Sequence, residues 1–127
     1  FDYVVDAIDT LSPKIFLIYH AMQRGLRLAS SMGSGGKVDP SCVRIADFSE
    51  TYHCRLAYIL RKKLRKMGIH GDFKAVFSTE KVPKEMIIPV EGEANKKSTV
   101  GTSSWIPGIF GCMLASVVVN SLSGLER

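Results

Sequence analysis

The fold is decided by residues 3–31, which read YVVDAIDTLSPKIFLIYHAMQRGLRLASS. This stretch begins with an apolar run at residues 3–8, and the acids beside that run bound a predicted short, buried strand. A helical pattern follows, and residues 26–31 predict a second short strand. Because strand, helix and strand are joined by short links, they form a βαβ unit whose two strands we expect to be parallel.

The helix of this unit has both a start signal and a stop signal. Ser12 is expected to cap its N-terminus, with Pro13 at the first helical position, where a missing N–H is harmless. The helix then runs from Lys14 to about Arg24, and Gly25 ends it. Its predicted apolar surface consists of Ile15, Leu17, Ile18, Ala21 and Met22.

The rest of the chain continues to alternate strands and helices. Strands are predicted at residues 42–48 and 74–78, and the apolar spacing of three and four predicts a helix at residues 55–67. A final helix is predicted at about residues 103–122. The sequence therefore predicts an α/β fold in one domain, residues 1–127, with a Rossmann-like, mostly parallel sheet and helices beside it.

Composition and charge limit the classes of function. Of 127 residues, 46% are hydrophobic, which is typical of a folded domain, and the net charge is +5. This positive excess suits a polyanionic partner such as RNA, although a merely soluble basic protein has the same balance. The three cysteines form no CxxC pair, which excludes a zinc site built from such pairs and favours a reducing, cytoplasmic setting.

Three further segments carry expectations. Residues 80–100 are polar and interrupted by Pro83 and Pro89, which predicts a mobile excursion from the domain. The most apolar run, residues 105–119, is short for a membrane span, so a buried core helix is expected and no membrane is required. The chain opens inside a strand without a signal-peptide pattern, so we expect it to be part of a longer domain.

Two carboxylates, Asp6 and Asp9, stand at the carboxyl end of the first predicted strand. Doubly wound sheets bind their ligands beyond this end of the strands. A carboxylate placed there can hold a Mg²⁺ ion that bridges nucleotide phosphates. A local role is also compatible with the residues, with Asp6 bonding to nearby backbone and Asp9 capping the next turn.

Two other features have alternative interpretations. The glycine-rich loop Gly33–Lys37 matches the spacing of neither the phosphate loop nor the dinucleotide fingerprint, so it is either a tight turn or a place where a substrate backbone approaches. The densest positive run is either a solvated helix face or a surface that contacts phosphates. The run consists of Arg61, Lys62, Lys63, Arg65 and Lys66.

Several segments taken together resemble one family. They are FDYVVDAIDT (1–10) with Pro13-Lys14, SMGSGGKVDP (31–40), VRIAD (43–47), AVFSTE (75–80) and GTSS (101–104). In their order and spacing, over nearly the whole chain, they resemble the tRNA threonylcarbamoyladenosine dehydratases of the ThiF/HesA adenylating superfamily. The resemblance implies that the chain is the C-terminal half of one such adenylating domain, whose glycine-rich nucleotide loop lies in the N-terminal half.

The resemblance also implies a reaction and its participants. Enzymes of this family use ATP to activate the carboxylate of threonylcarbamoyladenosine in tRNA, and an internal attack then closes a ring with net loss of water. Asp9 takes the position of the catalytic, Mg²⁺-linked aspartate, and Asp6 and Lys14 also stand at positions of the ATP site. The resemblance implies that tRNA is the substrate, and the basic run is the surface expected to bind it. A homodimer is implied too, and a sulfur-transfer protein partner is compatible with the superfamily.

Two other functions stay open. One is an adenylyltransferase for a ubiquitin-like sulfur-carrier protein, as in molybdopterin or thiamine synthesis, although such relatives often carry paired CxxC ligands. The other is a non-catalytic module for dimerisation and RNA contact. The chain departs from the family pattern at Cys54-Arg55, where relatives commonly have Asp-Pro, and at residues 96–98, where some relatives have a cysteine.

Overall fold

The computed structural model describes residues 1–83, 87–89, 98–100 and 103–125. In chain order its elements are β1 (Val4–Asp6), α1 (Leu11–Gln23), β2 (Leu28–Ser31), β3 (Val43–Asp47), α2 (Arg55–Lys66), β4 (Lys74–Ser78), β5 (Ile87–Pro89), β6 (Ser98–Val100) and α3 (Trp105–Ser123). One-turn 3₁₀ helices, Pro40–Cys42 and Phe48–Glu50, flank β3. The second of these begins at Phe48, the last residue of the predicted strand at residues 42–48.

Four strands form a mixed sheet in the order β1-β2-β4-β3. β1 and β2 are parallel, as are β2 and β4, whereas β3 is antiparallel to β4. The predicted βαβ unit and the mostly parallel sheet are therefore confirmed. The antiparallel strand lies at the edge, where mixed sheets of α/β proteins commonly carry one.

Helices cover both faces of the sheet and bury two separate cores. α1 and α2 pack on one face, where they meet strand residues such as Leu28 and Phe77. α3 packs on the other face, against Ala29 and Val76 among others. Successive residues of a strand point to opposite faces, so neighbours such as Val76 and Phe77 serve different cores.

Element boundaries differ from the predicted ones. α1 begins at Leu11 with Thr10 as the N-cap residue, so the prediction of Ser12 as the cap was wrong. Pro13 therefore stands at the third helical position, two positions deeper than expected, where it is tolerated because none of the first-turn N–H groups has an intrahelical partner. β1, β2 and β3 are also shorter than predicted, because strand pairing ends where the chain turns away.

α3 differs from the buried core helix that its apolar sequence predicts. Its buried side chains are Ile106, Phe110 and Leu114, which lie four residues apart and form one stripe against the sheet. The helix has 19 residues and a mean hydropathy of 1.7, so its length and composition would suffice to cross a membrane. Apolar composition therefore did not reveal how much of this helix the sheet covers.

The predicted excursion at residues 80–100 contains a two-stranded ribbon. β5 and β6 pair antiparallel, with Ile87 opposite Val100. Residues 84–86 and 90–97 lie outside the described residues, so the mobility expected for this segment stays a prediction.

Candidate functional site

The candidate site lies at the carboxyl ends of the parallel strands. β1, β2 and β4 run in the same direction, so the loops that follow them leave the sheet at one edge. α1 begins at this edge, and so does α2, whose Cys54 Sγ lies 4.0 Å from the Gly33 carbonyl oxygen in the loop after β2. This is the edge at which open α/β sheets bind ligands.

A buried ion pair joins β1 to the first turn of α1. Lys14 Nζ lies 2.7 Å from Asp6 Oδ2, and both side chains are 0% exposed. The ammonium also donates to the carbonyl oxygens of Ile8 at 2.9 Å and Ser31 at 2.7 Å. These three contacts match the three donors of an ammonium group. Burial lowers the pKa of Lys14, and the charge of Asp6 opposes that shift.

Asp6 is held from several sides. Its Oδ2 accepts a hydrogen bond from the Ser30 hydroxyl at 2.6 Å, and its Oδ1 accepts one from the Ile8 N–H at 3.0 Å. The local backbone bond that the sequence left open is therefore present. Together Asp6 and Lys14 tie the ends of β1 and β2 to α1, a geometry that suits positioning the site. Their direct contact with ATP stays a prediction.

Asp9 lies just outside this pair and is exposed. It precedes Thr10, the N-cap residue of α1, and is near enough to Lys14 for its charge to raise the Lys14 pKa. The described residues include no cluster of three His, Cys, Asp or Glu side chains that could hold a metal ion. Mg²⁺ in nucleotide sites is commonly held by one or two carboxylates together with phosphates and water. A single exposed carboxylate such as Asp9 fits that donor set.

A second buried lysine, which the sequence analysis did not single out, closes the glycine-rich loop. Lys37 is 2% exposed. Its Nζ donates to the carbonyl oxygens of His53 at 2.6 Å and Glu80, and the Ser78 carbonyl oxygen lies at 3.5 Å. Burial lowers the pKa of Lys37, and nearby Cys54 and Glu80 oppose that shift. The loop after β2 is thus fixed to the segments after β4 and before α2.

Glu80 fixes the same loop through its side chain. Its Oε1 accepts hydrogen bonds from the N–H groups of Val38 at 2.9 Å and Asp39 at 2.8 Å. The loop turns tightly, with the Lys37 N–H donating to the Ser34 carbonyl at 3.2 Å. Consecutive N–H groups are what a phosphate cradle would offer, and a carboxylate occupies two of them here. The contacts therefore favour the tight turn over the other interpretation of this loop.

Cys54 is the N-cap residue of α2. Its sulfur is buried and accepts a hydrogen bond from the Ala57 N–H at 3.4 Å. Sulfur is a weak acceptor compared with the carboxylate or hydroxyl oxygens that usually cap helices. The residue thus has a structural role at the helix start.

The basic run on α2 divides into two parts. Four of its residues are exposed, namely Lys62, Lys63, Arg65 and Lys66. Arg61 differs, since it is half-buried and donates to the Thr51 hydroxyl, which ties α2 to the preceding turn. α2 has 12 residues, about 18 Å of helix, and runs away from the edge that carries Asp9. The structure therefore places the run and Asp9 at opposite ends of the helical layer.

Several known proteins similar to this chain are tRNA threonylcarbamoyladenosine dehydratases. No family model matches the chain. It is 34% identical over 128 residues to the tRNA threonylcarbamoyladenosine dehydratase of Bacillus subtilis, which covers 95% of this chain and 50% of that protein. It is 32% identical over 133 residues to tRNA threonylcarbamoyladenosine dehydratase 1 of Saccharomyces cerevisiae, covering 96% of this chain and 31% of that protein. The chain thus spans half or less of the length of these curated relatives.

Solved structures agree with these relatives. The crystal structure of Escherichia coli tRNA N6-threonylcarbamoyladenosine dehydratase in complex with ATP superposes with a TM-score of 0.81 at 26% identity, covering 98% of this chain and 49% of that one. The complex of the same enzyme with AMP gives a TM-score of 0.80 over the same shares of the two chains. The similarity therefore extends over nearly all of this chain in both sequence and fold.

Proposed function

Because the chain belongs to the tRNA threonylcarbamoyladenosine dehydratase family, we propose that it is part of an enzyme that uses ATP to dehydrate threonylcarbamoyladenosine in tRNA. The observation that carries this proposal is the match to bacterial and yeast dehydratases over 95% or more of the chain. The fold that it shares with an ATP-bound dehydratase supports the same conclusion.

The proposed reaction has two steps. The carboxylate of the nucleoside attacks the α-phosphorus of ATP, which forms an acyl adenylate and expels pyrophosphate. A nucleophile within the same nucleoside then attacks the activated carbonyl carbon, closes the ring and releases AMP. The nucleoside loses one water molecule in total.

Residues at the carboxyl edge of the sheet would prepare the first step. We propose that Asp9 holds Mg²⁺, which when bound offsets negative charge on the phosphates. The buried Asp6–Lys14 pair would keep the segment that bears Asp9 in place, since Lys14 also binds the Ile8 carbonyl next to it. Because the chain spans half or less of its relatives' length, further residues of the ATP site are expected elsewhere in the protein.

Other parts of the proposal concern tRNA and assembly. The four exposed basic residues of α2 would contact tRNA phosphates, whereas Arg61 would only hold the helix in place. We further propose a cytoplasmic homodimer. The outward side of α3, which the described residues do not cover, could contribute to such an interface.

The test is a mass measurement on the modified nucleoside. The whole protein, and not this chain alone, is incubated with ATP, Mg²⁺ and tRNA that carries threonylcarbamoyladenosine, and the digested nucleosides are then measured by mass spectrometry. We expect loss of one water molecule, dependent on ATP. Adenylation of a sulfur-carrier protein without any change in the nucleoside would instead support the alternative adenylyltransferase function.

Asp9→Asn should lower the turnover by about a hundredfold or more, because it removes a charge that positions the metal in the transition state. Asp72→Asn is the matched control, since Asp72 is an exposed carboxylate that precedes β4 at the opposite edge of the sheet. Its turnover should stay at the wild-type level. Equal turnover in the two variants would exclude Asp9 as a metal ligand.

A further inference from the structure

An open groove lies on the outer surface between α1 and the end of α2. Its volume is about 360 Å³, and it is lined by Ser12, Ile15, Phe16, Tyr19, His20 and Met67. Small-molecule sites in proteins span roughly 300–1,000 Å³, so the groove has room for one planar ring system. The mechanism proposed above does not use it.

The groove is lined by three aromatic rings, of which Phe16 is exposed and Tyr19 and His20 are half-buried. Phe16 is 67% exposed, and its ring centroid lies 4.2 Å from that of His20. The ring of Tyr19 lies 5.3 Å from that of His20 in an edge-on arrangement. Met67, at the end of α2, is 41% exposed and also lines the groove. Phe16 and Met67 thus place two exposed apolar side chains at one groove, a feature shared by binding surfaces.

Positively charged residues lie near the end of the groove that His20 and Met67 line. Arg24 donates to the His20 carbonyl oxygen at 3.3 Å, and its guanidinium lies 3.2 Å from His20 Nδ1. Met67 is the C-cap residue of α2, whose last turn carries the basic residues Lys63, Arg65 and Lys66. No carboxylate lines the groove. Such a surface suits a ligand that has flat apolar groups next to phosphates. Single-stranded nucleic acid has both, in its bases and its backbone.

The position of the groove also matters. Its Ser12 end lies three residues beyond Asp9 in sequence, and its Met67 end follows the basic run directly. α1, which forms one wall, has 13 residues and is about 20 Å long. The groove therefore lies along the path that joins the basic run to the carboxyl edge of the sheet.

We propose that this groove binds an unpaired nucleobase of RNA, stacked on Phe16, with the neighbouring phosphates on the basic last turn of α2. This base is a different one from the reacting nucleoside at the Asp9 edge. The inference rests on the proposed function in one respect, because it takes RNA to be the partner. It adds a specific contact that would hold the RNA while the reaction proceeds elsewhere.

The test uses a short single-stranded RNA that contains one 2-aminopurine, whose fluorescence is quenched when the base stacks. We expect the protein to quench it, and Phe16→Ala to weaken binding by roughly 5- to 150-fold and abolish the quenching, as loss of a base-stacking ring does. Phe16→Trp should restore both. Tyr58→Ala is the matched control, because Tyr58 is a 58% exposed aromatic on α2 that does not line the groove, and it should bind as the wild type does.

A second RNA, with an abasic position in place of 2-aminopurine, should bind the wild type and Phe16→Ala equally. Equal binding of the 2-aminopurine RNA by both proteins, or equal weakening in Phe16→Ala and Tyr58→Ala, would overturn the proposal. So would a change in sedimentation mass of Phe16→Ala with unchanged RNA binding, since the groove would then be an interface between copies. These measurements need neither ATP nor the modified nucleoside, so a lack of dehydratase activity would count against the proposed function and leave this site standing.

Discussion

The described part of the chain buries two lysines at the same edge of the sheet, and it stabilises them in different ways. Lys14 pairs with a buried carboxylate, Asp6, and uses two carbonyl oxygens besides. Lys37 is surrounded by backbone carbonyl oxygens, and within the described residues no ion pair involves it. Removing Lys14 would therefore leave a charge buried alone, whereas removing Lys37 would leave neutral acceptors. Equal burial of the same side chain thus does not imply an equal contribution to stability.

Lys14→Met should produce the largest loss of stability. It leaves the Asp6 carboxylate buried without its cation, and breaking a buried pair in this way costs about 3–5 kcal/mol. Urea unfolding followed by circular dichroism would measure the loss. The double variant Lys14→Met, Asp6→Leu should recover part of it, because neither charge then remains. A double variant less stable than Lys14→Met alone would contradict this account.

Lys37→Met should cost less, about 1–3 kcal/mol, because it leaves neutral carbonyl groups without a donor and keeps most of the apolar stem. The same urea titration gives the comparison directly. The slope of the transition should match that of the wild type, since both unfold the same surface. A loss equal to that of Lys14→Met would show that the carbonyl oxygens around Lys37 are as important as an ion pair.

The smallest expected effect is a dependence on alkaline pH. Burial lowers the pKa of Lys37 below its ordinary value of 10.5, so between these two values the folded state has released a proton that the unfolded chain keeps. The free energy of unfolding contributed by Lys37 should therefore rise with pH across that window, by at most about 1.4 kcal/mol per pH unit, and be constant below it.

The measurement is the difference in unfolding free energy between the wild type and Lys37→Met at several alkaline pH values. Taking the difference cancels groups that titrate in both proteins, Lys14 included. We expect the unfolding free energy of the wild type to rise relative to that of Lys37→Met as the pH rises. A difference that is flat up to pH values near the ordinary lysine pKa would show that burial does not lower the pKa of Lys37.

The sequence was sufficient to predict those parts of the molecule whose structure depends on residues close together in the chain. The βαβ unit followed from apolar runs and a helical pattern, and the position of Asp9 followed from the end of β1. The exposure of Lys62 and Lys66 followed from the apolar stripe beside them. In each of these, a short stretch of chain determines the outcome through its own periodicity.

The parts that the sequence missed depend on distant contacts. Lys37 donates a hydrogen bond to the carbonyl oxygen of Glu80, 43 residues away, and no sequence pattern within either loop predicts this contact. α3 has an apolar sequence throughout, so composition could not tell which of its sides the sheet covers. In the sequence Arg61 cannot be distinguished from its exposed basic neighbours. Only the folded chain brings its guanidinium to the Thr51 hydroxyl. Such contacts form only when separate elements have packed.

The buried thiol at the start of α2 gives the molecule a built-in kinetic reporter. Cys112 is exposed, Cys42 is half-buried and Cys54 is buried, so a thiol-modifying reagent would reach Cys54 only when the first turn of α2 opens. Local opening of this kind occurs well below the free energy of global unfolding. The slowest phase of labelling, which belongs to Cys54, would then report the rate of local opening at the edge where Asp9 stands.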